Sequence, residues 1–173
     1  DSSDVLLLAK GIAFGRRLNA TVEEPDVFPL AVQGPKAETL MTGLFGDGIA
    51  ALPYFGFGTF DVLGTRQVIA RSGYSKQGGF EIYLEGGHLG GALWDLVWEA
   101  GLGLEIRPGC PNLIERIEGG LMSYGNEFTR ANNPLECGFK RYCHFEDGID
   151  YIGREALLKI AEDGPDRHIM GVK

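Results

Sequence analysis

The sequence predicts an α+β fold, a mostly antiparallel sheet with helices on one face. Two observations carry this. Strand-like and helix-like stretches alternate from Phe28 to Ile106 as two split β-α-β patterns. Within them, Phe80 to Leu84 alternates apolar and polar residues, the period of a strand with one buried face. The chain has 173 residues, 44% hydrophobic and 23% charged, which is enough for one good core.

In chain order, Ser3 to Leu18 reads as a helix. Ser2 or Ser3 caps it, Asp4 suits the positive end of its dipole, and Arg16 and Arg17 suit the other end; Gly11 and Gly15 weaken it. Ala20 to Glu23 is expected as a strand closed by Pro25, and Phe28 to Gln33 as a buried strand. Gly34-Pro35 turns into a helix over Lys36 to Phe45, with proline at the favoured first position. Phe55 to Leu63 and Arg66 to Arg71 pair as a hairpin about Gly64.

After the Phe80 strand comes a helix from Gly91 to Ala100, with Leu93, Trp94, Val97 and Trp98 as a broad core-facing side. Leu104 to Ile106 is expected as a short strand. Pro111 opens another helix, with Leu113, Ile114, Ile117 and Leu121 as the buried stripe and Glu115, Arg116 and Glu118 toward the other side. Asn132-Asn133-Pro134 is a turn, Leu135 to Phe145 a loop and then a strand, and Asp147-Gly148 another turn. Gly153 to Glu162 is a helix, and His168 to Lys173 starts like a strand.

The stretch from Ser72 to Tyr83 carries the chemistry. A Gly-rich polar loop, Ser72 to Gly79, leads into a strand whose Phe80, Ile82 and Leu84 face one way and whose Glu81 and Tyr83 face the other. One strand surface thus holds a carboxylate beside a phenol, and the loop supplies a second phenol, Tyr74. That set suits a flat heterocycle with adjacent N–H donors. Taken alone, these residues fit an exposed hairpin with a solvated glutamate and two surface tyrosines better.

Several classes are disfavoured. A net charge of −8 with no basic run argues against nucleic acid or an anionic membrane as partner. No apolar run approaches the ~20 residues of a membrane span, and no signal peptide is visible. Cys110, Cys137 and Cys143 are three at unpatterned spacing, which suits a reduced, cytoplasmic setting. Cys143-His144 has no second pair at ligand spacing, so no metal is expected; Gly56-Phe57-Gly58 is not followed by a helix, so no dinucleotide site is expected either. A homodimer is compatible with the chain.

Ser72-Gly73-Tyr74-Ser75 with Gly79-Phe80-Glu81-Ile82-Tyr83 resembles the Thr-Gly-Tyr-Thr-Gly-Glu-Asp-Gly-Phe-Glu-Ile-Tyr signature of the glycine-cleavage T-protein (aminomethyltransferase) superfamily. Val32 to Lys36, Leu93-Trp94, Arg116 to Gly120, Tyr124-Gly125, Asn133 to Glu136 and Ile152 to Leu157 follow the same family order. Lys76-Gln77-Gly78 departs from the T-protein Gly-Glu-Asp. Asn112-Leu113 departs from an Arg-Asp that T-proteins carry four residues before the arginine aligned with Arg116. The combination of Ser72 to Glu81, Cys110 to Gly120 and Tyr124-Gly125-Asn126-Glu127-Phe128-Thr129 resembles the dimethylsulfoniopropionate demethylase branch.

The resemblance implies an aminomethyltransferase-type folate-binding domain, ferredoxin-like, over residues 1–163, with 164–173 a linker and the start of a C-terminal barrel domain. It implies tetrahydrofolate as cofactor and a small-molecule methyl donor, a sulfonium or an amine. Glu81 matches the pterin-binding carboxylate, Tyr74 a signature tyrosine, and Tyr54 with Phe55 an aromatic pair near the pterin. Tyr83 would support Glu81 or the ring. Arg116 has two readings, a contact to the folate tail or a structural pair with Glu115, Glu118 or Glu136. The family's functional aspartate lies upstream, so no catalytic residue is named. A non-enzymatic folate-binding module is the contrasting reading, and its Lys-Gly-Cys-x-x-Gly-Gln-Glu motif is not found here.

Overall fold

The alternation at Phe80 to Leu84 becomes a central strand. The structure, a computed structural model, describes residues 2–109, 113–146 and 148–172. They fall into two units, Asp1–Gly73 with Gln77–Gly109, and Tyr74–Lys76 with Cys110–Lys173.

In the first unit, β1 (Val27–Gln33), β2 (Phe57–Val62), β3 (Thr65–Ala70) and β4 (Gly79–Glu85) form one sheet in the order β1-β4-β3-β2. Every neighbouring pair is antiparallel. The hairpin from β2 to β3 turns at Leu63-Gly64, both at positive φ, a geometry that matches the twist of the strands. One face of β4 buries Phe80, Ile82 and Leu84 almost completely. Against that face pack α2 (Ala37–Phe45), through Ala37, Leu40 and Met41, and α3 (Gly90–Gly101), through Leu93 and Val97. The α+β sheet with helices on one face therefore stands.

Several elements differ from their sequence reading, each for a local reason. The first helix, α1 (Ser2–Gly15), stops short of Leu18. Arg17 adopts φ 52°, Leu18 N–H donates to the Ala13 carbonyl and Arg17 N–H to that of Phe14, a Schellman stop with arginine where glycine is usual. Val5, Leu7, Leu8 and Phe14 of α1 are exposed. Residues 20–23 form no strand. The 104–106 stretch is a turn and not a strand: Glu105 is left-handed at φ 63° and Ile106 N–H donates back to the Gly101 carbonyl. β1 is an edge strand, so of its side chains only Val32 is buried and Phe28 is exposed. On α3 only the Leu93–Val97 line reaches the core. Trp94 is 45% exposed, its ring stacked at 6.3 Å on that of Trp98.

The second unit contains α4 (Leu113–Glu118) and α5 (Arg154–Asp163). The expected stripe on α4 fails at Ile114 and Ile117, while Leu121 beyond the helix is half-buried. Ile114 and Ile117 are 67% and 59% exposed, and Arg116 is buried. A bidentate carboxylate partner makes this arrangement affordable for a guanidinium. The Asn132-Asn133-Pro134 turn forms as expected: the Asn133 Oδ1 accepts from the N–H groups of Leu135 and Glu136, both at 3.0 Å. No strand follows it; a 3₁₀ turn over Lys140–Tyr142 stands there instead, and residues 168–172 form none either. Cys110, the Pro111 helix start, Asn112 and the Asp147 turn lie outside the described residues.

These two burial patterns predict opposite mutational costs. Ile82→Ala lowers the unfolding free energy by about 2–5 kcal/mol, whereas Ile114→Ala changes it by ~0.5 kcal/mol or less. Urea denaturation of the two variants checks this; equal losses would restore the sequence-expected stripe on α4.

Candidate functional site

The second face of β4 carries Glu81 and Tyr83. Across the ladder Glu81 lies opposite Ala31 of β1 and Ala70 of β3, and Tyr83 lies opposite Pro29 and Val68. Small side chains thus flank the carboxylate on both sides, which leaves a low lane beside it on the sheet. Glu81 is half-buried. Its Oε2 accepts a hydrogen bond from the Ser72 hydroxyl at 2.5 Å and a longer one from the Tyr83 hydroxyl at 3.4 Å; neither uses Oε1. Burial, and then the neighbouring Glu81 charge, hold the Tyr83 phenol above its ordinary pKa, so it stays protonated as a donor.

One side chain, Gln33, ties the two ends of the loop that leads into β4, and the Gly34 N–H donates to the Gly78 carbonyl at 2.9 Å beside it. Gln33 Nε2 donates to the Ser72 carbonyl at 3.0 Å and to the Phe80 carbonyl at 3.3 Å. Room for it exists because positions 73 and 79 are glycines, both at φ 155°. A Cβ at Gly73 would sit 2.0 Å from Gln33 Oε1, and one at Gly79 would sit 2.4 Å from the Val32 carbonyl oxygen. Arg71, just before the loop, bonds the Ala50 and Leu52 carbonyls at 2.9 and 3.2 Å, pairs with Glu38, and lies over the Phe80 ring.

Tyr74 and Arg116 meet in the second unit. The Tyr74 hydroxyl donates to the Met122 carbonyl at 2.9 Å, and Arg116 Nη1 donates to that of Leu121 at 3.1 Å. Arg116, with a side chain only 5% exposed, also forms a two-armed pair with Glu127, at 2.7 and 3.1 Å. Among the described residues the partner of this arginine is Glu127, not the Glu115, Glu118 or Glu136 that the sequence suggested for a structural pair. Glu127 Oε2 further accepts the Ser123 N–H at 2.7 Å. The 121–127 segment is therefore wrapped around one ion pair. Lys76, at φ 58°, donates to the Gly119 carbonyl at 2.8 Å and so caps the end of α4.

Tyr54 is 59% exposed, its ring 4.4 Å from that of Phe55. Among the described residues no hydrogen bond joins it to Glu81 or Tyr83. The structure thus brings together Glu81, Tyr83 and Ser72 in one unit, and Tyr74 with Arg116 in the other. Sequence reasoning placed Ser72, Gln33 and Glu127 inside family-like motifs but gave none of them a task. Their signal was a hydroxyl, an amide and a carboxylate held at motif positions.

A family model described as the GCVT N-terminal domain matches residues 2–147. The chain belongs to this family. It is 49% identical over 166 residues to dimethylsulfoniopropionate demethylase DmdA of Ruegeria pomeroyi, covering 96% of this chain and 45% of that protein. It is 35% identical over 150 residues to an aminomethyltransferase of a Thermoanaerobacter species, covering 84% of this chain and 40% of the relative. An aminomethyltransferase of Caldanaerobacter subterraneus is 36% identical over 146 residues, with 82% and 38% covered. The chain spans less than half the length of these curated relatives. The demethylase match is thus both closer and longer than the two aminomethyltransferase matches.

The Arg116 bonds, followed by the Ser123 N–H, hold the Glu127 carboxyl below the usual carboxylate range. Its folded-state pKa is therefore lower than its unfolded value, ~4.3. The stability it contributes is present above that pH and drains as pH falls through the folded value. Glu136, held low by Asn132 and Arg167, acts in the same direction. Glu127→Gln accordingly flattens the acid limb of the melting-temperature profile below about pH 4.3 without abolishing it. A variant profile parallel to the wild type would rule this pair out as a source of acid sensitivity.

Proposed function

We propose that the full-length protein is a tetrahydrofolate-dependent methyltransferase that demethylates dimethylsulfoniopropionate. The observation that carries the reading is Glu81, a carboxylate on an open sheet lane with one oxygen held by Ser72 and Tyr83 and the other taken by neither. A pterin edge presents an exocyclic amino group and a ring N–H side by side, and a carboxylate accepts both in a charge-assisted fork. Within the first unit the family resemblance gives Tyr83 and Tyr54 to the folate reading with Glu81; in the second it gives Tyr74 as a signature residue, and Arg116 carries the structural pair with Glu127. Tyr83 supports the carboxylate, Tyr54 offers an exposed ring, and Tyr74 and Arg116 brace the 121–127 segment.

The methyl donor is the finer part of the proposal. It rests on the 49% identity to the demethylase and on the departures from the T-protein pattern at Lys76-Gln77-Gly78 and Asn112-Leu113. In the reaction the sulfonium S–CH₃ bond breaks, its electron pair stays on sulfur, and a bond forms from the folate N5 to the methyl carbon. N5 loses its proton. The products are methylthiopropionate and 5-methyltetrahydrofolate. Sulfur is already a good leaving group, so alignment of donor and acceptor is the main protein contribution. Cys137 and Cys143, both buried free thiols, suit the cytoplasmic setting of such an enzyme.

Incubating the full-length protein with tetrahydrofolate and dimethylsulfoniopropionate yields both products by mass spectrometry. Bound folate without either product would move the reading to an aminomethyltransferase, as in the 35–36% identical relatives. Glu81→Ala weakens tetrahydrofolate binding by roughly ten- to a hundredfold, the size of a lost hydrogen bond to a charged group, and leaves the melting temperature nearly unchanged. Unaltered affinity in a calorimetric titration of that variant would sink the folate assignment.

A further inference from the structure

We infer that Ser72, steadied by Gln33, is a positioning residue that fixes the Glu81 carboxylate in the orientation that accepts two adjacent N–H donors; this rests on the folate reading above. The terminal torsion of a glutamate is broad and roughly two-fold, so a carboxylate on an open sheet lane has no orientation of its own. Ser72 supplies one. It is buried, and its hydroxyl reaches Glu81 Oε2 at 2.5 Å, closer than the Tyr83 hydroxyl at 3.4 Å.

Ser72 is itself anchored. Its carbonyl accepts Gln33 Nε2 at 3.0 Å, and the same nitrogen lies 3.3 Å from the Phe80 carbonyl, one residue before Glu81. One amide therefore ties the residue that gives the hydroxyl to the strand that carries the carboxylate. The two glycines of the loop are the condition for this, since a Cβ at either would strike Gln33.

The bond to Ser72 does not exhaust the acceptor. An ionised carboxylate has about four lone-pair sites, and Ser72 and Tyr83 both address Oε2. Neither bond uses Oε1, so the carboxylate keeps acceptor capacity beyond them. Holding the group before binding removes the ordering that a ligand would otherwise impose, which is how preorganisation raises affinity.

The test uses the full-length protein and calorimetry with tetrahydrofolate and its 2-desamino-2-methyl analogue, which lacks one of the two donors. Ser72→Ala weakens tetrahydrofolate binding about five- to tenfold, the size of one ordinary hydrogen bond. It shrinks the preference over the analogue by a similar factor and leaves the melting temperature nearly unchanged. Ser72→Thr, which keeps the hydroxyl, restores both. If the alanine variant does not fold, Ser72→Cys, of similar shape but a weaker donor, gives the same comparison. The inference is overturned if Ser72→Ala leaves affinity and preference as they were while Glu81→Ala weakens binding. It is also overturned if both ligands weaken equally with a lowered melting temperature, or if threonine fails to rescue. Unchanged binding in Glu81→Ala overturns the folate reading itself, which separates the two failures.

Discussion

The whole first unit depends on β4 having two different faces. Phe80, Ile82 and Leu84 point into the core, and the hydrophobic gain of burying them locks the register against β1 and β3. A slip of one residue would place Glu81 in the core and Phe80 in water, a change too costly to populate. Because the core side is locked, the other side is locked with it. Glu81 and Tyr83 are placed by residues they do not touch.

The loop before β4 inherits that order through a different force. Its ends are tied by the half-buried Gln33 amide, beside the Gly34 N–H on the Gly78 carbonyl, and at Gly73 and Gly79 that amide leaves no space for a Cβ. Packing sets the strand, and directional bonds set the loop. A functional carboxylate needs both: packing fixes where its backbone sits, and only a hydrogen bond fixes how its two oxygens are turned.

The second unit is organised by an ion pair more than by a core. Among its described residues Leu135, Cys137 and Cys143 are buried, while the 121–127 segment closes around Arg116 and Glu127. Glu136 plays a similar part further on, accepting from Asn132 and Arg167 with its carboxylate and from the Ile169 N–H with its carbonyl. An apolar edge-to-face run of Tyr124, Phe128, Phe139 and Tyr142 accompanies these bonds. Segments of this kind have little periodicity, because polar bonds and ring edges need no regular spacing.

That difference explains what could be read in advance. By itself the sequence determined the α+β class, the β2–β3 hairpin, the two faces of β4 and the family, because these rest on alternation, turn residues and motif order. Only the tertiary structure decided that Arg116 is buried on Glu127 while Ile114 and Ile117 face outward, and that Trp94 lies outside the core. A helical stripe shows that one side of a helix is apolar, and on a six-residue helix a charged pair outweighs it. Likewise only the fold brought Ser72 to Glu81, nine residues on, and Gln33 to Ser72, thirty-nine residues away. Such contacts are made by chain reversal and strand pairing, and no local pattern encodes them.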